Sequence, residues 1–68
     1  MARKIPFTTL DAIVALLLSQ KIYGSAQSIR QTAKRCAERL PRQRRHLMYS
    51  IINSPDPLTI VRHISNGL

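Results

Sequence analysis

The sequence predicts an all-α protein, a small bundle of three main helices followed by a short fourth. Three observations support this prediction. Apolar residues recur every three or four positions along most of the chain. Residues that commonly begin or end helices separate these segments, and no stretch shows the alternation of apolar and polar residues that is typical of strands. At 68 residues, we expect a single helical domain, with residues 1–6 as a short basic N-terminal arm.

The first predicted helix starts after Thr8 and ends near Ile22. Thr8 and Asp11 have the spacing of a capping box, and Gly24 can adopt the left-handed conformation that ends a helix. The helix is apolar on almost every side, which is typical of a central helix or of one shared between subunits.

Since a single cysteine cannot form an intramolecular disulfide, we expect compact packing or a homodimer to stabilise so short a chain.

The second predicted helix begins at Ser25, its cap, and extends to about residue 40. Its apolar residues form one stripe: Ile29, Ala33, Cys36, Ala37 and Leu40. Basic residues flank the stripe in two pairs, Arg30 with Lys34 and Arg35 with Arg39. Because positions at this spacing share one side of a helix, we expect the stripe to face the core.

The third helix is predicted over residues 41–53. Pro41 disfavours helix at the preceding residue and suits the first position of a new helix. The expected first turn is polar and basic: Arg42, Gln43, Arg44 and Arg45. The expected buried face is apolar: Leu47, Met48, Ile51 and Ile52. A fourth helix is predicted over residues 57–65, with Asp56 as its cap and Pro57 at its first position.

The charge of the chain is concentrated in one stretch. Seven basic residues and one acid, Glu38, lie between positions 30 and 45, and they supply most of the net charge of +8. A positive surface on a folded helix is typical of proteins that bind phosphate groups. The chain has three aromatic residues, Phe7, Tyr23 and Tyr49, and none of them lies within this stretch. Because single-stranded RNA is commonly bound by stacking its bases on aromatic side chains, duplex DNA is the expected partner.

The segment Ser28-Ile29-Arg30-Gln31-Thr32-Ala33 resembles the first helix of helix-turn-helix repressors, where an apolar residue precedes a small one by four positions. The resemblance covers residues 25–52 and implies a tri-helical fold whose third helix enters the major groove. The implied base contacts come from Arg42, Gln43, Arg44 and Arg45. The implied phosphate contacts come from Arg30, Lys34, Arg35 and Arg39, together with Arg3 and Lys4 of the arm.

The connection between the two helices departs from the compact motif. That motif has a turn of about 3–4 residues that often contains glycine. Here Ala33, the small residue of the first motif helix, and Leu47, the central apolar residue of the next helix, lie fourteen positions apart, which is more than in the compact motif. No glycine stands between them. The spacing predicts either a longer turn or a different helical packing.

The leading functional hypothesis is a cytoplasmic, DNA-binding transcriptional regulator or accessory factor of phage, plasmid or bacterial type, acting as a homodimer. A second hypothesis is a non-enzymatic, protein-binding inhibitor or adaptor whose basic face meets an acidic protein surface. Proteins encoded by viruses are included in this hypothesis. A third is a protein that binds structured RNA or the ribosome. A basic helix face can also be no more than a solvated surface.

Enzyme, metal and membrane functions are not expected. The three acids are explained as caps or surface residues, and no catalytic grouping, phosphate-binding loop or metal-ligand spacing is present. Cys36 suits the core, and His46 and His63 suit the surface. No cofactor is expected. The apolar run over residues 12–18 is shorter than the about 20 residues that span a bilayer, and it matches an export signal only poorly.

Overall fold

The computed structural model describes residues 6–67, and its regular structure over that range is entirely helical. Four α-helices are described: α1 (Thr9–Ile22), α2 (Ala26–Arg39), α3 (His46–Asn53) and α4 (Pro57–Asn66). A 3₁₀ turn, Arg42–Arg44, stands between α2 and α3 and is called the arginine turn below. The prediction of an all-α bundle is confirmed. The predicted basic arm, with Arg3 and Lys4, falls outside the described residues apart from Pro6.

The predicted start and end of α1 are confirmed. The backbone N–H of Thr8 donates to the Asp11 carboxylate at 2.8 Å, and the N–H of Asp11 donates to the Thr8 hydroxyl at 3.3 Å. The bond from the Thr8 N–H, and a second one from the Thr8 hydroxyl at 3.0 Å, hold the pKa of the Asp11 carboxyl below its ordinary value. Beyond the helix, Gly24 has a φ of +62°, where any other residue would be strained.

The core is centred on α2. Its predicted apolar stripe is buried along its whole length, with Ile29 and Ala33 fully enclosed. The neighbouring helices contribute the other fully buried apolar side chains: Ala12 and Leu16 from α1, Met48 and Ile51 from α3, and Pro57 and Val61 from α4. Cys36 lies within this core, and burial raises the pKa of its thiol. The helical stripe therefore positions α2 against all three other helices.

The predicted start of the third helix is wrong. Leu40 and Pro41 are both extended, and the residues after them form the arginine turn, in which the N–H of Arg44 donates to the carbonyl of Pro41 at 2.8 Å. Helix α3 begins only at His46. The physical reason is that Pro41 is extended, with a ψ of 151°, and the Arg45 guanidinium donates to the carbonyl of Leu40 at 2.9 Å, which holds the connection in a turn. Residues 40–45 therefore connect α2 to α3, which is a longer connection than the turn of the compact motif.

Polar groups fasten the remaining junctions. Asp56 caps α4 as predicted, accepting from the Thr59 N–H at 3.3 Å and from the Thr59 hydroxyl, and these bonds lower the pKa of Asp56. The Thr32 hydroxyl donates to the buried Ser19 hydroxyl at 3.1 Å and links α2 to α1.

Across residues 6–67, no helix has both the length and the apolar character that crossing a bilayer requires.

One side of α1 is left uncovered. The helix turns Ala12, Leu16 and Ser19 toward the core. On its opposite side four large apolar residues follow one another at every fourth position and are 51–67% exposed: Leu10, Val14, Leu18 and Ile22. The four are called the α1 outer face below. The sequence predicted that α1 is either central in the bundle or shared between subunits. For the described residues the central position is wrong, because the α1 outer face is more than half exposed.

Candidate nucleic-acid interface

The basic residues of α2 are divided between two sides of the helix. Lys34 lines a cavity of about 200 Å³ with Tyr49 and Ile52 of α3. On the other flank, Arg39 shares a cavity of about 300 Å³ with Asp11 of α1. Arg30 and Arg35 each lie four positions before Lys34 and Arg39, and therefore on the same flanks. The four predicted phosphate contacts on α2 therefore lie in two pairs, one on each flank of the helix.

Three of the predicted binding residues also connect parts of the fold. Arg30 donates from Nη2 to the carbonyl of Ser54 at 2.9 Å, at the turn between α3 and α4. Arg39 places its guanidinium over the ring of Phe7. Arg45 donates from Nε to the carbonyl of Leu40 at 2.9 Å, and its side chain is half-buried. Among the predicted base contacts, Arg45 is therefore the least accessible.

The other predicted contacts within the described residues are exposed: Lys34, Arg35, Arg42, Gln43 and Arg44. The last three belong to the arginine turn, directly before α3. Arg44 also lines a cavity of about 400 Å³ that contains Phe7, Leu10 and Leu40. Arg44 therefore lies beside the N-terminal end of α1. The predicted contacts Arg3 and Lys4 lie outside the described residues.

The start of α3 is electrostatically unusual. The other described helices begin with a side chain that accepts a backbone N–H, from Thr8, Ser25 and Asp56. Helix α3 has Arg45 at this position, with no side-chain cap. The N-terminus of a helix bears a partial positive charge, so cations there are unfavourable and anions are favourable. Arg42, Arg44 and Arg45 thus place positive charge where a phosphate group would be stabilised.

The exposed side of α3 is polar. His46, Tyr49, Ser50 and Asn53 are all exposed, and their spacing of three and four residues places them on one side of the helix. The Ser50 hydroxyl donates to the carbonyl of His46 at 3.0 Å. No binding residue was predicted on this face from the sequence. The signal was present, since these are the positions of α3 that the predicted apolar face leaves over.

Phe7 was also missed as a structural residue. It is half-buried and packs against the core. Its position immediately before the Thr8 cap is that of a hydrophobic staple, which could have indicated its role.

Within residues 6–67, no three side chains of His, Cys, Asp or Glu lie close enough together to hold a metal ion.

Residues 8–68 match the model of a family described as a domain of unknown function, DUF7740. The chain belongs to the DUF7740 family. The match begins at Thr8, the cap of α1, so the DUF7740 domain includes all four described helices, the arginine turn and both flanks of α2. No curated protein and no solved structure matches the chain. For this DUF7740 domain, the resemblance to helix-turn-helix proteins stays a prediction from the residues.

Proposed function

We propose that this domain binds duplex DNA, with α3 in the major groove and the arginine turn at the groove edge. It would act without catalysis, as a cytoplasmic transcriptional regulator or accessory factor of phage, plasmid or bacterial type. The supporting observation is the concentration of arginines at the start of α3, which has no side-chain cap. This arrangement disfavours the isolated helix and favours an anion, and local rules of stability are commonly broken at functional sites.

Phosphate contacts would come from the flank of α2 that faces α3. Lys34 is exposed there and shares a cavity with Tyr49, while Arg30 on the same flank is half-buried. Such contacts neutralise phosphates and release counterions, which makes affinity depend on salt without reading sequence. Arg35 and Arg39 face α1 instead, so the proposed docking gives them a smaller part than Lys34.

Base contacts would come from the arginine turn and the polar face of α3. Arg42 and Arg44 can bond guanine through two hydrogen bonds, and Gln43 can do the same for adenine. Asn53 is chemically equivalent to glutamine in this respect and lies on the exposed face of α3. Arg45 is not included in the proposed readout, because its Nε is bound to Leu40.

The test is a fluorescence-anisotropy titration with two labelled duplexes of equal length, one random and one from the DNA flanking the gene. We expect tighter binding to the flanking duplex. Arg44→Ala should reduce the preference by about 1–3 kcal/mol if that arginine contacts a base. Arg62→Ala is the matched control, since it removes the same charge from an exposed position on α4. Equal losses in both variants would contradict groove docking by α3.

An acidic protein partner is a second candidate function. It is favoured by the cavity of about 400 Å³ in which Arg44 stands beside the apolar residues Phe7, Leu10 and Leu40. Protein interfaces commonly combine an apolar centre with arginine. Adding structured RNA and a polyanionic protein as competitors in the same titration distinguishes these partners. Displacement of duplex DNA by the RNA at lower concentration than by unlabelled DNA would favour the RNA-binding hypothesis.

A further inference from the structure

We propose that the α1 outer face binds α1 of a second copy of the chain, with the two helices antiparallel, and so forms a homodimer. The proposal is independent of DNA binding, because it rests on α1 and not on the arginine turn or α3. Leu10, Val14, Leu18 and Ile22 are each more than half exposed. Four large apolar side chains in one row on a single helix form a contiguous patch, which commonly marks an interaction surface.

The row is symmetric about its own centre. Residues 10, 14, 18 and 22 are centred on position 16, so a two-fold axis at that level pairs Leu10 with Ile22 and Val14 with Leu18 of the second copy. The row follows the ridge that runs along every fourth residue of a helix. Two such ridges pack together at a crossing angle of about −50°, the commonest class of helix packing in globular proteins.

Charge favours the antiparallel direction. Asp11 stands at the N-terminal end of α1 and Lys21 at its C-terminal end, and both are exposed. An antiparallel pair brings the acidic end of each helix to the basic end of the other. A parallel pair would instead bring together the two arginine turns, because Arg44 shares a cavity with Leu10 at the N-terminal end of α1. With a net charge of +8 on each copy, that direction is disfavoured by repulsion.

A second copy fits this face better than a lipid surface does. Helices that lie on membranes have a polar side rich in lysine and arginine beside the apolar side. Helix α1 instead has a single basic residue, Lys21, and its side away from the α1 outer face is buried in the core through Ala12 and Leu16. A single helix face is smaller than the about 800 Å² per partner of a standard interface, so we expect a dissociation constant in the micromolar range.

Sedimentation equilibrium of the full chain tests the dimer. We expect a mass near twice 7.7 kDa at concentrations above the micromolar range, and 7.7 kDa for Leu18→Asp. Tyr49→Asp is the matched control: Tyr49 is 47% exposed against 53% for Leu18, but it lies on α3, so this variant should stay dimeric. Circular dichroism verifies that both variants remain helical. A monomeric wild-type chain, or a Leu18→Asp variant that is still dimeric, would overturn the proposal.

Disulfide cross-linking tests the direction in a Cys36→Ala background. Val14→Cys mixed with Leu18→Cys should form disulfides between the two variants faster than either variant forms them with itself, because the antiparallel register places these positions opposite each other. A size tag on one variant identifies the mixed product. Faster cross-linking of each variant to itself would show a parallel pair and overturn the register. Duplex DNA binding is measured separately, so failure of the dimer and failure of the proposed function are distinguishable.

Discussion

The guanidinium carbon of Arg39 lies 4.1 Å from the centre of the Phe7 ring. This contact joins the end of α2 to the residue before the cap of α1. An arginine over an aromatic face is attracted by the negative potential of the ring. Arg39, a predicted phosphate contact, therefore also has a structural role at the junction between α1 and α2.

The Phe7–Arg39 contact predicts a measurable coupling energy. Phe7→Leu keeps an apolar side chain at the junction but removes the ring, and Arg39→Ala removes the cation. A double-mutant cycle on the free energy of unfolding in urea should give a coupling of about 0.5–1 kcal/mol, as for exposed cation–π pairs. Strictly additive effects of the two substitutions would show that the contact does not stabilise the fold.

Arg44 and Arg45 should respond differently to truncation despite being neighbours. Arg45→Ala should lower the free energy of unfolding by about 1 kcal/mol, because the carbonyl of Leu40 loses its guanidinium donor. Arg44→Ala should not lower the free energy of unfolding, since the side chain is exposed and its charge lies near the positive end of α3, and it should weaken DNA binding more. Urea unfolding and anisotropy titration of both variants measure the two effects. The reverse pattern would rule out the structural role given to Arg45.

Removing charge from the arginine turn should stabilise the free protein. Arg42→Gln and Arg44→Gln each remove a cation near the positive end of α3, so we expect a gain of about 0.3–1 kcal/mol in unfolding free energy at low ionic strength. The gain should shrink as salt is added, because salt screens exposed charges. Affinity for duplex DNA should fall in the same variants. Unchanged or lower stability at low salt would argue against an unfavourable helix start.

The two capping aspartates predict a loss of stability in acid. Hydrogen bonds from Thr8 and Thr59 lower the pKa values of Asp11 and Asp56 in the folded protein. A carboxyl whose pKa is depressed on folding stabilises the fold above its unfolded pKa of about 3.9, and this stabilisation is lost as the pH falls through the folded pKa. Unfolding free energy measured below pH 4 should therefore decrease. Asp11→Asn should reduce that dependence, and an unaltered pH profile would contradict the role of the capping box.

Local signals predicted most of the fold. The caps at Thr8, Ser25 and Asp56 and the left-handed Gly24 were predictable because each depends on residues within a few positions along the chain. The start of α3 was not, because Pro41 permits either a helix or an extended turn. The choice depends on the bond from Arg45 back to Leu40 and on packing, which the residue pattern does not encode.

The candidate interface was predictable only as a set of residues. The sequence indicated which side chains are basic, but their partners lie far away along the chain. Arg30 binds a carbonyl 24 residues later, and Arg39 contacts Phe7 near the other end of the described chain. Such contacts depend on how the helices pack. For the same reason the sequence could not show that α1, apolar all round, leaves one face exposed.

The most direct test of the account is the salt dependence of duplex DNA binding for two neighbouring variants, Lys34→Ala and Arg35→Ala. Both residues are exposed on α2, but Lys34 shares a cavity with Tyr49 of α3, whereas Arg35 lies four positions before Arg39, on the flank where Arg39 shares a cavity with Asp11 of α1. If α3 docks on DNA, Lys34→Ala should reduce the slope of log affinity against log salt by about 0.9, the value for one phosphate contact, and Arg35→Ala should change it less. Equal changes in the two variants, or no duplex binding by the wild-type protein, would contradict the proposed interface.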